Sequence, residues 1–190
     1  ERGVARVHRI LNVRGEVIPG TTVALELIGT TTDGATVRGQ AQLARTRHID
    51  RMRITPEGAR ATPSAITAIQ QADLIVLGPG SLYTSVIPHL LVPEILAALQ
   101  ARRAPLVWVA NVDEQEGETE GMDLDAHLAA LEAHGASGLI DGILATSASS
   151  RRVGAVGGVP IAPTLHHATD ADIHVQTAPR QMPLVARRAG

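Results

Sequence analysis

Asp73-Leu74-Ile75-Val76-Leu77-Gly78-Pro79-Gly80-Ser81-Leu82-Tyr83-Thr84-Ser85 is the stretch that decides the fold. Consecutive aliphatic residues ending on a glycine read as a strand buried on both faces, as in a parallel sheet covered by helices. Gly78 and Gly80 then remove side-chain bulk, and Ser81, Thr84 and Ser85 set hydroxyls beside backbone N–H groups. Such a turn, at the carboxyl end of a strand and ahead of a helix, can cradle an anion. The alternative is a connecting turn with a Ser/Thr motif and no ligand.

Working outward, Pro93 opens a helix carrying Ile95, Leu96 and Leu99, and Leu106 to Val109 is a second buried strand. Together with the first strand these form a βαβ unit. A third helix has Asp123 as its N-cap, Leu124, Leu128 and Leu131 on one face and Gly135 as its stop. Ile140 to Ala145 is the strand that follows. On the other side, Thr62-Pro63 starts a helix with Ile66 and Ile69 on its apolar stripe.

Further upstream the period changes. Val23, Leu25 and Leu27 alternate with polar neighbours, Asp33-Gly34 offers a tight turn, and Ala35, Val37, Gly39 and Ala41 continue on the far side, which reads as a hairpin over Thr21 to Leu43. The charged run Arg45 to Arg53 suits an exposed edge strand or connector more than a core element. The expected organisation is a β-rich insertion or connector over 1–60, a Rossmann-like α/β core over 61–146 and an irregular segment over 147–190.

Composition bounds the function. The 190 residues include no Phe and only Tyr83 and Trp108 as large aromatics, so base stacking on aromatic platforms is excluded as a design. With 17 basic and 19 acidic side chains, the field that would collect nucleic acid or an anionic membrane is missing. There is no cysteine for disulfides or thiolate metal sites, and no apolar run of membrane-spanning length. Cytoplasm is the simplest location. The start, Glu1-Arg2-Gly3, has neither an initiator Met nor a signal-peptide pattern, so an upstream portion is expected to be missing.

Asn111, at the end of the second buried strand, is aimed by this topology into the same crevice as Gly78 to Ser85. The loop Gly117-Glu118-Thr119-Glu120-Gly121 follows it. Glu118 and Thr119 are suited to holding a sugar hydroxyl or a metal-bound water, whereas the acidic run from Asp113 to Glu120 also reads as a solvated loop. No cofactor motif is present. Magnesium is the one candidate ion, and only if the acidic loop faces a phosphate.

Other polar groups carry less. His127 and His134 lie too far apart for one metal ion and read as packing or solvent-facing residues. His166-His167 with Asp170, Asp172 and His174 has no recognised metal spacing. The Arg pairs 102–103, 151–152 and 187–188 read as surface charges, with Arg151-Arg152 placed after a strand end where it can reach a phosphate. A Rossmann redox enzyme would need a third glycine, and Gly78-Pro79-Gly80-Ser81-Leu82-Tyr83 lacks it. The hairpin edge and the Leu90-Leu91-Val92 patch are candidate surfaces for a homodimer.

The string Ala72 to Pro88, with Leu90-Leu91-Val92-Pro93, Asn111-Val112, Gly117 to Gly121 and His127, resembles the bacterial YvcK-type gluconeogenesis factors of the CofD-like superfamily. The likeness extends back through Leu11 to Pro19, the Asp33-Gly34 turn and Ile54 to Glu57, covering most of residues 10 to 145. It implies a CofD-like fold: a Rossmann-type sheet with helices on both sides and a β-rich antiparallel insertion. CofD relatives transfer a phospholactyl group from a guanine-nucleotide carrier to a deazaflavin. The Leu82-Tyr83-Thr84-Ser85 continuation points instead to the YvcK branch, linked to UDP-N-acetylglucosamine binding, cell shape, envelope synthesis and gluconeogenic growth.

The chain departs from that family in three places: the Gly-rich first loop and Asp-Asp-Gly-Gly stretch are missing, residues 112–116 differ, and the tail after Ser147 does not match. The resemblance therefore implies a nucleotide-sugar binding regulator, with Gly78, Pro79, Gly80, Ser81, Leu82, Tyr83, Thr84, Ser85, Asn111, Glu118 and Thr119 as ligand-binding residues. A CofD-like transferase of a phosphorylated group from a nucleotide carrier is the alternative. The chain shows no nucleophile and general-base constellation.

Overall fold

The computed structural model describes residues 15–111, 113–146 and 173–177. In chain order its elements are β1 (Glu26–Thr31), β2 (Thr36–Arg38), α1 (Gln40–Leu43), β3 (Ile49–Thr55), α2 (Pro63–Gln71) and β4 (Ile75–Leu77). A π-helical turn, Leu82–Val86, leads into α3 (Ile87–Leu90), followed by α4 (Pro93–Gln100), β5 (Leu106–Val109) and α5 (Leu124–Leu131). A second wide turn, Glu132–Ala136, extends α5 before β6 (Gly142–Thr146) and β7 (Ile173–Thr177).

Two sheets result, one antiparallel in the order β2-β1-β3 and one mixed in the order β4-β5-β6-β7. β4, β5 and β6 are parallel, and β7 closes the far edge antiparallel to β6. This is the mixed α/β architecture expected from the periodicity, with the antiparallel part that the family resemblance implies. The strand expected over Ile140 to Ala145 runs over Gly142–Thr146. β7 falls in the segment expected to be irregular, while Arg151-Arg152, His166-His167, Asp170, Asp172 and Arg187-Arg188 lie outside the described residues.

The hairpin forms at Asp33-Gly34, where Gly34 has φ +86° and the Thr31 amide donates to the Ala35 carbonyl at 2.9 Å. It is shorter than its alternating pattern suggests. Gly39 at φ +87° turns the chain out of β2, and Gln40 to Leu43 coil into a short helix rather than extending the strand. Leu43, fully buried, drops onto Gly29 of β1, where an added Cβ would come within 2.5 Å of it. β3 is an edge strand as expected, yet Ile49, Met52 and Ile54 belong to the core, so Arg45 to Arg53 is more than a connector.

In the parallel sheet Leu77, Leu106, Trp108, Ile143 and Ala145 form the buried face. Ile95 and Leu99 of α4 and Leu124 and Leu131 of α5 share the core cluster with that face. His127 of α5 stacks on Trp108 there, with ring centroids 6.5 Å apart. The residues that alternate with this face are less covered: Leu74 and Val76 are 53% and 51% exposed. The expectation that Asp73 to Leu77 is buried on both faces is therefore corrected for the described residues. Four aliphatics in a row report two apolar faces, not what covers each.

Two other surface expectations are also corrected. Leu90 and Val92 are buried against the core, so the Leu90-Leu91-Val92 segment offers no open dimer patch. Arg102, expected on the surface, is 8% exposed along its side chain and pairs with Asp141 at 2.7 Å. Its guanidinium also donates to the carbonyls of Leu99 and Leu139, while Asp141 accepts the Leu106 amide at 2.8 Å. One ion pair thus joins the end of α4 to the starts of β5 and β6. Among the described residues no single helix is long and apolar enough to cross a membrane.

Candidate ligand site at the strand ends

Gly78 carries the chain from β4 into the loop with φ +85°, and the Gly78–Pro79 peptide is cis. A Cβ there would lie 2.9 Å from the Val109 carbonyl oxygen, so the turn crosses directly against the end of β5. Only glycine meets both demands. Asn111 lies two residues beyond Val109, at the carboxyl end of the same strand. The structure therefore places Gly78 to Ser81 and Asn111 at one end of the parallel sheet, where ligands of open α/β sheets bind.

The second half of the loop does something else. Leu82, Tyr83 and Thr84 are buried, as are Glu118 and Thr119, which are 1% and 0% exposed. Glu118 reaches across from the loop after β5 and accepts the amides of Tyr83 and Thr84 at 2.6 and 2.9 Å. Its other oxygen accepts the Thr84 hydroxyl at 3.1 Å and the Gln115 side-chain amide at 3.2 Å. An internal carboxylate thus occupies the amino end of the Leu82–Val86 turn, where an anionic ligand would otherwise be favoured. Burial raises the Tyr83 pKa above 10.0, with the charges of Asp50 and Glu118 acting in the same direction.

Gln115 was not legible as a site residue. It accepts the Ser81 hydroxyl at 2.7 Å, so it stands between Ser81 and Glu118. Thr119 fixes it from below: the Gln115 amide donates to the Thr119 hydroxyl and the Thr119 amide to the Gln115 carbonyl, each at 3.0 Å. The only hint in the sequence was its spacing, three residues before Glu118 and four before Thr119, which suits a local turn.

The acidic loop is correspondingly less solvated than its composition suggests. Gly117, at φ +83°, sits against the Arg45 backbone, and Glu120 pairs with Arg47 at 2.7 Å. Glu114 accepts the Gly121 amide at 2.9 Å. With both Glu118 oxygens engaged by protein donors, the loop does not fit a magnesium site. Among the described residues no group of three or more His, Asp or Glu side chains is placed to hold a metal.

His127 and His134 are both buried packing residues. A separate groove of about 850 Å³ lies between α2 and α4, lined by Ile66, Thr67, Ala97 and Ala101 with the Arg60–Glu94 pair at its rim. Its lining is mainly apolar, whereas the strand-end loops carry the hydroxyls and amides that suit a polar ligand.

Comparison with known proteins shows the family. The family profile described as 2-phospho-L-lactate transferase CofD matches residues 1–164. A gluconeogenesis factor of Halalkalibacterium halodurans is 40% identical over 144 residues, covering 75% of this chain and 45% of that protein. The gluconeogenesis factor of Bacillus subtilis is 39% identical over 145 residues, covering 76% of this chain and 46% of its own length. A crystal structure of a Bacillus halodurans protein superposes with a TM-score of 0.73 at 40% identity, covering 76% of this chain and 47% of that one. The chain thus spans less than half the length of the curated relatives it matches.

Proposed function

This chain belongs to the CofD family, in company with the gluconeogenesis factors, and on that footing we propose that its strand-end crevice binds UDP-N-acetylglucosamine within a cytoplasmic regulator of cell shape and of envelope and central carbon metabolism. The observation that carries this reading is the meeting of two strand ends. Gly78 is pressed against Val109, and Ser81 is hydrogen-bonded to Gln115 beyond Asn111, so the loops after β4 and β5 form one wall. A phosphorylated ligand with a polar sugar suits a wall built of glycine turns, hydroxyls and an amide.

Within this reading the loop residues divide by role. Gly78, Pro79, Gly80, Ser81, Ser85 and Asn111 face the ligand side, while Leu82, Tyr83, Thr84, Glu118 and Thr119 hold the wall in shape. Regulation needs binding only.

Titration calorimetry of the chain with UDP-N-acetylglucosamine, with UDP as a control, tests the reading. Saturable heat with the sugar nucleotide is expected. Absence of heat at millimolar ligand would remove it.

The family profile supports a second reading, transfer of a phosphorylated group from a nucleotide carrier to an acceptor. Catalysis would then rest on positioning and charge stabilisation. Consumption of a nucleotide-linked donor, followed by phosphorus NMR, distinguishes transfer from binding.

A further inference from the structure

We propose that Ser81 offers the ligand its oxygen lone pairs and not its proton, so that the bound molecule must present a hydroxyl or amide N–H at that position. The inference rests on the crevice reading above and adds the polarity of one of its contacts. It follows from a chain of hydrogen bonds with only one consistent direction. Glu118 is an acceptor, so the Gln115 group facing it at 3.2 Å is the amide NH₂. The Gln115 carbonyl oxygen then faces Ser81, whose hydroxyl donates to it at 2.7 Å. A serine hydroxyl has a single proton, and here it is committed inward.

The Gln115 amide has little freedom to reverse. Its backbone is held on both sides by Thr119, and Glu118 is itself fixed by the Tyr83 and Thr84 amides. Ser81 is therefore poorly suited to a phosphate oxygen, against which lone pairs would face lone pairs. It suits a donor on a sugar, such as a hydroxyl. Where the sequence suggested a turn whose hydroxyls cradle an anion, Ser81 takes the opposite polarity. Thr84, the neighbouring hydroxyl, likewise directs its proton at Glu118.

Glu118→Gln tests the direction. The new amide can still accept the Tyr83 and Thr84 N–H groups through its oxygen, but its NH₂ then faces Gln115 and forces that side chain to turn over. Ser81 would accept from Gln115 and point its proton outward, into the donor on the ligand. Affinity for UDP-N-acetylglucosamine is measured by calorimetry for the wild type, Ser81→Ala, Glu118→Gln and the double variant, with thermal melting as the record of folding. Each single variant is expected to bind roughly tenfold more weakly, and the double variant no more weakly than Ser81→Ala, because there is no hydroxyl left to reverse.

Additive losses in the double variant, or unchanged binding by Ser81→Ala, overturn the proposal while leaving the crevice reading in place. A wild type that does not bind at all overturns the crevice reading and this proposal with it. If Glu118→Gln does not fold, Ser81→Ala decides alone, with a roughly tenfold loss expected and unchanged binding overturning the proposal.

Discussion

The Met52 backbone amide donates to Nε2 of His134 at 2.8 Å, joining an edge strand of the antiparallel sheet to the end of α5. The other ring nitrogen, Nδ1, lies 2.6 Å from the Ala130 carbonyl, so the ring is a neutral tautomer protonated at Nδ1. Arg51 adds a bond to the Ala133 carbonyl at 2.6 Å, and the Tyr83 ring meets His134 edge-on at 6.3 Å. The β-rich insertion is therefore fastened to the α/β core beside the candidate site.

That bond predicts a pH dependence. Burial lowers the His134 pKa below 6.5, with Arg51 acting in the same direction and the Ala130 carbonyl and Asp50 opposing it. The unfolded chain thus takes up the proton first as pH falls, so His134 contributes its full stability above about 6.5 and loses it between that value and the lower folded one. Urea denaturation from pH 8 to pH 5 is expected to show stability falling by up to about 1.4 kcal/mol per pH unit in that window. His134→Gln should flatten the profile there.

Arg102 holds the opposite end of the sheet. Its loss takes the counter-charge from Asp141 and the guanidinium donor from the carbonyls of Leu99 and Leu139, and Arg102→Ala should cost about 3 kcal/mol in denaturant titrations. Because the pair lies at the amino ends of β5 and β6, ligand affinity of the folded variant should remain at the wild-type value.

Gly78→Ala tests the turn. A left-handed φ costs an alanine about 1–2 kcal/mol, and its Cβ would also press on the Val109 carbonyl at 2.9 Å. A loss of about 2–3 kcal/mol is expected, together with weakened binding of UDP-N-acetylglucosamine as the two strand ends move apart. Unchanged stability would mean that the turn relaxes freely.

Glu118→Ala removes one acceptor group from four donors. The Tyr83 and Thr84 amides, the Thr84 hydroxyl and the Gln115 amide are left facing a cavity. Unsatisfied buried donors make this a change of about 3 kcal/mol or more. Amide hydrogen exchange should quicken at Tyr83 and Thr84 before it does in β5.

Much of this architecture could be read along the chain because its signals are local. Asp123 accepts the Ala126 amide at 2.8 Å as an N-cap should, and Gly135 at φ +103° turns the chain at the end of the wide turn after α5. Pro63 and Pro93 stand at the starts of their helices, and the strand read over Leu106 to Val109 has those same bounds. Apolar period, capping chemistry and glycine placement act within a few residues, so they are visible without a fold.

Residues that act across the fold were not visible in this way. Arg102 looks like any surface arginine until β6 brings Asp141 to it, 39 residues on. Glu118 looks like one acid in an acidic run until the loop after β5 folds over the Leu82–Val86 turn. By itself the sequence determined the α/β alternation, the glycine turn and the family. Only the tertiary structure decided that half of the Gly78 to Ser85 loop is held from inside by a buried carboxylate, because the hydrogen bonds of Glu118 span 34 and 35 residues and exist only once the two strand ends lie side by side.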